Sequence, residues 1–185
     1  LRTLPDHVLT TQVFTYFGFK DYALTSCASH YSQAHWQLEN ERKPMPLYVP
    51  VDCRTLQEAV KRVAHDPRIT TIVVGKGEHQ IDGNSLEIFS AMNIVGDPGV
   101  PKSEIVVVGG IEFKKGIPKN CHLQQLTLRQ AKESGVDGRS SFTMEDVLVE
   151  QCGGDGVYAE GIDVVGRCTN VEVRQCEECG VVAID

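Results

Sequence analysis

Cys176-Glu177-Glu178-Cys179 is the stretch of this sequence best placed to do chemistry. Two thiols three positions apart can close on a zinc ion or cycle with a disulfide. A four-ligand zinc site needs a second pair, and the sequence holds no other Cys-x-x-Cys and no His-x-x-x-His. Structural thiols are therefore the expectation here, and no metal. The six histidines, at 7, 30, 35, 65, 79 and 122, are scattered, and no two share one face at ligand spacing. Satisfied or solvated imidazoles are the expectation for them. Gly153-Gly154-Asp155-Gly156 has the composition of a calcium-binding turn, but it occurs once, too few oxygens for a calcium cage, so it reads as a tight turn. No catalytic residue and no cofactor emerge from these groups.

The same cysteines belong to a larger pattern. Leu126-Thr127-Leu128-Arg129-Gln130-Ala131 leads to Gly135-Val136, Val147-Leu148-Val149-Glu150-Gln151-Cys152 to Gly156-Val157, and Val171-Glu172-Val173-Arg174-Gln175-Cys176 to Gly180-Val181. The segments repeat after 21 and then 24 residues, and the glycine always comes nine residues after the segment starts. Short alternating strands ended by glycine at such a period predict a solenoid, whose coils bury an apolar face only by stacking. With strands about 4.8 Å apart, equivalent residues form ladders. Leu126/Val147/Val171, Leu128/Val149/Val173, Ala131/Cys152/Cys176 and Val136/Val157/Val181 are expected to point inward. Gln125/Asp146/Asn170 and the basic–acidic–basic row Arg129/Glu150/Arg174 are expected outside. On this register Val149→Asp is ruinous and Thr127→Asp mild.

Upstream, Ile72-Val73-Val74, Met92-Asn93-Ile94-Val95, Ile105–Val108 and Ile111-Glu112-Phe113 are further strands separated by glycine turns. Thr55-Leu56-Gln57-Glu58 has capping-box spacing, and Leu56, Ala59, Val60, Val63 and Ala64 make one apolar face of a helix over 55–65 that Asp66-Pro67 ends. Such a helix suits the open first coil of a solenoid, hiding its core and strand edges. Residues 1–40 read as helical: Pro5 fits a first turn, Val8, Leu9, Val13, Phe14 and Phe17 recur at near-helical spacing up to Gly18, and shorter helices follow, the last carrying Tyr31 and Trp36. Residues 41–50, with Pro44, Pro46 and Pro50, read as a linker that ends in a strand near 47–51. The organisation expected is thus a helical segment over 1–40, a linker over 41–50 and a mostly β, parallel β-helix over 51–185, incomplete at its C-terminal end.

Bulk properties bound the function. The chain has 185 residues, 41% of them hydrophobic and 23% charged, and a net charge of −7. Residues 1–45 balance four basic against four acidic side chains, so the solenoid carries the whole excess. An acidic solenoid repels phosphate backbones, which argues against a nucleic-acid partner. No apolar run reaches the roughly 20 residues that cross a bilayer, so no membrane partner is expected. Seven cysteines, an odd number at low density, suit reduced thiols and a cytoplasmic or nuclear location. The chain opens on Leu1 and no basic-then-apolar leader follows, as expected of a piece of a longer or processed protein.

Two family resemblances follow. Thr55-Leu56-Gln57-Glu58-Ala59-Val60 with Thr71-Ile72-Val73-Val74-Gly75-Lys76-Gly77 resembles the opening of right-handed parallel β-helices of the pectin-lyase-like superfamily, over Leu47–Asp185. Enzymes of that superfamily need clustered carboxylates on one outer face. Here Asp137, Asp146, Asp155 and Asp163 fall at different coil positions, with no adjacent aspartate pair and no Gly-His-Gly, so the resemblance implies fold and no activity. Leu4-Pro5-Asp6-His7-Val8-Leu9, Val13-Phe14-Thr15-Tyr16-Phe17 and Lys20-Asp21-Tyr22 resemble an F-box, with one residue more than usual between Leu9 and Val13. F-box proteins with β-helix repeats are a known combination. The resemblance implies a non-catalytic substrate receptor of a Skp–cullin–F-box ubiquitin ligase. Leu4, Pro5, Val8, Leu9, Val13, Phe14 and Phe17 would enter the groove of the Skp-type adaptor, and the solenoid would present an unidentified protein substrate to the cullin complex. The alternatives are a stand-alone β-helix scaffold and a carbohydrate-binding or polysaccharide-degrading protein. On the outer face of the three matched coils the one aromatic ring expected is Tyr158.

Overall fold

The structure, a computed structural model, describes residues 45–185. The helices expected over 1–40, and with them Leu4, Pro5, Val8, Leu9, Val13, Phe14 and Phe17, lie outside those residues. Fourteen strands and one α-helix follow along the described chain. They are β1 (Pro46–Val49), α1 (Leu56–His65), β2 (Thr71–Val74), β3 (Gly77–Ile88), β4 (Asn93–Gly96), β5 (Ile105–Phe113), β6 (Cys121–Gln124), β7 (Thr127–Arg129), β8 (Val136–Gly138), β9 (Phe142–Glu145), β10 (Leu148–Glu150), β11 (Val157–Glu160), β12 (Gly166–Thr169), β13 (Glu172–Arg174) and β14 (Val181–Ile184).

One sheet runs β1-β2-β4-β6-β9-β12, and the other β13-β10-β7-β5-β8-β11-β14 with β3 also paired to β5. Neighbours pair in parallel, as in β1 with β2 and β9 with β12. The fold is a β-solenoid of about six turns. Its first strand takes in the end of the stretch read as linker, because Pro46–Val49 pairs residue by residue with Thr71–Val74.

The ladders read from the repeat are present. Leu128, Val149 and Val173 are in register, as are Arg129, Glu150 and Arg174, and Val136, Val157 and Val181. Apolar side chains at alternate positions fill the interior, where the rings of Phe113 and Phe142 stack with centroids 5.5 Å apart. The ladders weaken in the last coil. Val171, Val173 and Cys176 are partly buried and Val181 is 65% exposed, because among the described residues nothing stacks on their far side.

Corners between strands are made by a repeated left-handed residue. Gln125, Asp146 and Asn170 have φ between 51° and 53°, and Gln130, Gln151 and Gln175 φ of 56° or 57°. Non-glycine residues take this conformation at a cost, which the stacking offsets. Gln125 N–H donates to Glu145 O and Asp146 N–H to Thr169 O, both at 3.0 Å, while Asp146 Oδ1 accepts from Asn170 Nδ2 at 2.7 Å and lies 2.6 Å from Lys102 Nζ.

Three expectations need correction. Thr127 is not on an open surface: the short 3₁₀ turn Lys102–Glu104 folds back over it, its side chain is 0% exposed, and its hydroxyl donates to Lys102 O at 2.9 Å. Ala64 is exposed, so the buried face of α1 is Leu56, Ala59, Val60 and Val63. Ile105–Val108 and Ile111–Phe113 are one strand, β5, bent at Gly109, whose φ of +131° and 2.7 Å clearance from Ile81 Cβ admit only glycine.

α1 packs on β1, β2 and β3, the position expected of a helix that closes the first coil. Thr55 Oγ1 accepts from Glu58 N–H at 3.2 Å, and Glu58 reaches back to Arg54 N–H at 3.0 Å rather than to Thr55. The long β3 escaped the sequence reading because its Gly77–Asn84 half is mostly polar. Gln80 pairs with Val108 and Ser85 with Gly110, so residues 81–84 oppose Gly109 alone and bulge outward.

Candidate functional site

The outer face of the β3–β5–β8–β11 flank holds one row of polar side chains in register. Glu87 faces Glu112, Glu112 faces Asp137, and Asp137 faces Tyr158. Their register follows from strand pairing, and their outward aim from alternation with Leu86, Ile88, Ile111, Phe113, Val136 and Val157, which are buried. Three carboxylates stacked at one strand spacing beside a tyrosine ring is the arrangement that an acid–base or sugar-binding site needs.

The row carries its own counter-ions. Lys114 Nζ lies 2.7 Å from Glu87 Oε1 and 2.6 Å from Glu112 Oε1. Arg139 holds Asp137 through Nη2 at 3.2 Å, with Glu112 and Glu160 each 3.9 Å from its guanidinium. Hydrogen bonds to Glu112 and then Glu87 push the Lys114 ammonium pKa up, and Asp137 does the same for Arg139. Burial first, then the carboxylates of Glu160 and Asp137, push up the Tyr158 phenol. Each carboxylate is thus tied to a fixed cation. Chemically the arrangement is a charged ridge that can make directional ion pairs and stack on a ring.

The row holds a single aspartate, Asp137, so the aspartates of the matched coils do not reveal it. Glu87 and Glu112 sit on β3 and β5, outside the three matched coils. Their signal was visible in Glu112-Phe113-Lys114 and Asp137-Gly138-Arg139, where an acid, a core position and a base recur one coil apart.

The second outer row behaves as predicted in position and differs in burial. Glu150 bonds Arg129 Nε at 2.7 Å through one oxygen and Arg174 Nη2 at 2.7 Å through the other, and its side chain is only 5% exposed. Burial alone would raise the Glu150 carboxyl pKa. The bonds from Arg174 and then Arg129 outweigh burial and hold it below the usual carboxylate range. A lowered folded-state pKa makes stability that is present above the ordinary glutamate pKa, about 4.3, and is lost as pH falls through the folded value. Glu150→Gln is expected to cost about 1–2 kcal/mol at pH 7 and to flatten the fall of Tm below about pH 4, read in melts from pH 7 to pH 2. Parallel Tm–pH curves for the two proteins would refute the role.

The remaining candidates are structural in their surroundings. Cys176 stacks over Cys152, where Glu177 N–H donates to Cys152 O at 2.9 Å. Burial, then Cys176, push the Cys152 thiol up to about 12, which keeps it protonated and a poor metal ligand. Asp155 is a buried staple between coils: its Oδ1 accepts from Cys179 N–H at 3.0 Å and its backbone oxygen from Gly135 N–H at 2.9 Å. His79 and His122 are bonded to Gly75 O and to Thr143 Oγ1, at 2.9 and 2.7 Å. Among the described residues no three His, Cys, Asp or Glu side chains are grouped to hold a metal. His7, His30, His35 and Cys27 lie outside them.

The chain matches no family profile, no curated protein and no solved structure.

Proposed function

We propose that this chain is a non-catalytic protein-binding platform, and that it serves as the substrate receptor of a Skp–cullin–F-box type ubiquitin ligase. What supports the platform is the row Glu87/Glu112/Asp137, whose carboxylates are all engaged by Lys114 and Arg139. Fixed ion pairs stacked on a parallel sheet form a rigid, patterned surface for recognition and give general acid–base chemistry little to work with. Such a protein would act by proximity, holding a target next to a ubiquitin carrier. A reducing compartment, cytoplasm or nucleus, goes with this role.

The ligase half of the reading rests on the F-box-like residues 4–17. A purified Skp-type adaptor is expected to be captured by the full chain. Pro5→Ala combined with Leu9→Asp is expected to reduce that capture at least tenfold, since apolar anchors carry helix-in-groove binding. Capture that survives the double substitution would remove the adaptor role and leave a stand-alone β-helix scaffold.

A further inference from the structure

Among the described residues, one pair of cysteines shares a rung of the solenoid, Cys152 and Cys176. Hydrogen bonds between coils hold the rung on both sides: Gln151 N–H donates to Arg174 O at 3.2 Å, and Glu177 N–H to Cys152 O at 2.9 Å. The two backbones are therefore one strand spacing apart, about 4.8 Å, inside the roughly 4.4–6.8 Å between Cα atoms that a disulfide spans. The side chains are set alike. Each thiol donates to the carbonyl two residues before it, Cys152 to Glu150 O and Cys176 to Arg174 O, both at 3.7 Å. Like rotamers on stacked backbones place one sulfur over the other, and Cys176 acts on the Cys152 thiol as a hydrogen-bond partner.

The other described thiols have different neighbours. Cys121 is in register with Phe142 and Cys168 with Met144, while Cys53 Sγ accepts from Arg62 Nη1 at 3.3 Å. Cys179 follows three residues after Cys176, and its amide donates to Asp155 Oδ1. The stacked pair is also unequal in access: Cys152 is buried, and Cys176 is half-buried in the last coil. A small oxidant in solution meets Cys176 first.

We propose that Cys176 is a site of reversible oxidation, and that Cys152 resolves it into a disulfide clasping the last coil to the coil before. The oxidant is a peroxide. The Cys176 sulfur attacks one oxygen of hydrogen peroxide, the O–O bond breaks, and the departing hydroxide leaves as water with the thiol proton. Cys176 becomes a sulfenic acid. The Cys152 sulfur then attacks the sulfenic sulfur, the S–O bond breaks, and a second water carries off the Cys152 proton. Two thiols lose two electrons in all, and one peroxide gains them. Drawing stacked sulfurs from coil spacing to bonding distance strains the link, so it is readily reduced again by thiols, as a transient mark in a reducing compartment must be. The clasp falls where the solenoid is held least, since Val171 and Val173 are only partly buried and Val181 is 65% exposed. It is independent of the receptor reading.

The test treats the full chain with hydrogen peroxide, alkylates it in denaturant without reduction, and digests the monomer band of a non-reducing gel with trypsin. Cleavage after Arg139, Arg167 and Arg174 puts Cys152 alone in peptide 140–167 and Cys176 with Cys179 in peptide 175–185. Mass spectrometry is expected to find these two peptides joined, and dithiothreitol to part them. The oxidised protein is expected to melt about 5 °C higher than the reduced one, because the link ties residues 24 apart. Both effects are expected to persist in Cys179→Ala and to vanish in Cys176→Ala and in Cys152→Ala. Alanine already holds this rung one coil earlier, at Ala131, and melts of the reduced variants check that they fold. A peptide 175–185 closed on itself through Cys176 and Cys179, with 140–167 fully alkylated, overturns the proposal. So do two free thiols after peroxide, or a joined pair that leaves Tm unchanged.

Discussion

Aspartate in place of Val149 is expected to leave the protein unfolded or to lower its Tm by more than 10 °C, and aspartate in place of Thr127 to be nearly as damaging. Val149 is 0% exposed and is held between Leu128 and Val173 in the stacked ladder. A carboxylate there has no counter-charge and no donor, and burying it costs about 4 kcal/mol or more, at about 2–4 °C per kcal/mol for a chain of this size. Thr127 looks benign in the repeat, since it alternates with core leucines and shares its register with Leu148. In the folded protein its hydroxyl is a donor to the Lys102 carbonyl beneath a covering turn. An ionised carboxylate can only accept, so it faces a carbonyl oxygen at hydrogen-bond distance in a dry site, at a cost of about 3 kcal/mol. Melts of both variants at pH 7 decide the matter. A Thr127→Asp protein that melts like the wild type would show that the 102–104 turn does not cover that position.

Valine in place of Gly135 is expected to cost about 3 kcal/mol or more, for a reason unrelated to backbone angle. A β-carbon at Gly135 would stand 2.4 Å from Val149 Cγ1, 2.8 Å from Gly156 O and 2.9 Å from Cys152 Sγ. Side chains can shift by a few tenths of an ångström, but Gly156 O accepts from Val136 N–H at 3.0 Å and cannot withdraw without breaking the bond between coils. Gly83→Ala is the control. Gly83 has φ of +97° with nothing within 4 Å of an added carbon, so only backbone strain of about 1 kcal/mol is at stake. Denaturant midpoints for the two variants check the contrast, and equal midpoints would mean that coil spacing is looser than the ladder implies.

Period and pattern carried the architecture a long way. Nine residues from Leu126, Val147 and Val171 to their glycines were enough to set the register in which β7, β10 and β13 pair, because parallel coils can bury their apolar faces only when equivalent positions coincide. α1 was legible for a local reason, its Thr55 cap and its apolar spacing. β3 was not: its first half is mostly polar and becomes a strand only because Gly77–Gln80 and Ser85–Ile88 find β5 beside them.

The candidate surfaces divide in the same way. Arg129/Glu150/Arg174 was visible because all three lie in matched coils of nearly constant length. Glu87/Glu112/Asp137 is harder to see although its members stand 25 residues apart, because Glu87 and Glu112 lie on β3 and β5, outside the three matched coils.

What the residues settled alone is what depends on short-range order: a parallel stack of short strands, a capped helix at 56–65 and the inward row at each third or second position. What required the folded chain is what depends on contacts between segments far apart in sequence. The turn at 102–104 that buries Thr127 and the stacking that sets Glu87 against Lys114 both arise where segments more than 20 residues apart return to the same place. Periodicity encodes the distance between like residues, and it says nothing of where an irregular loop comes to rest.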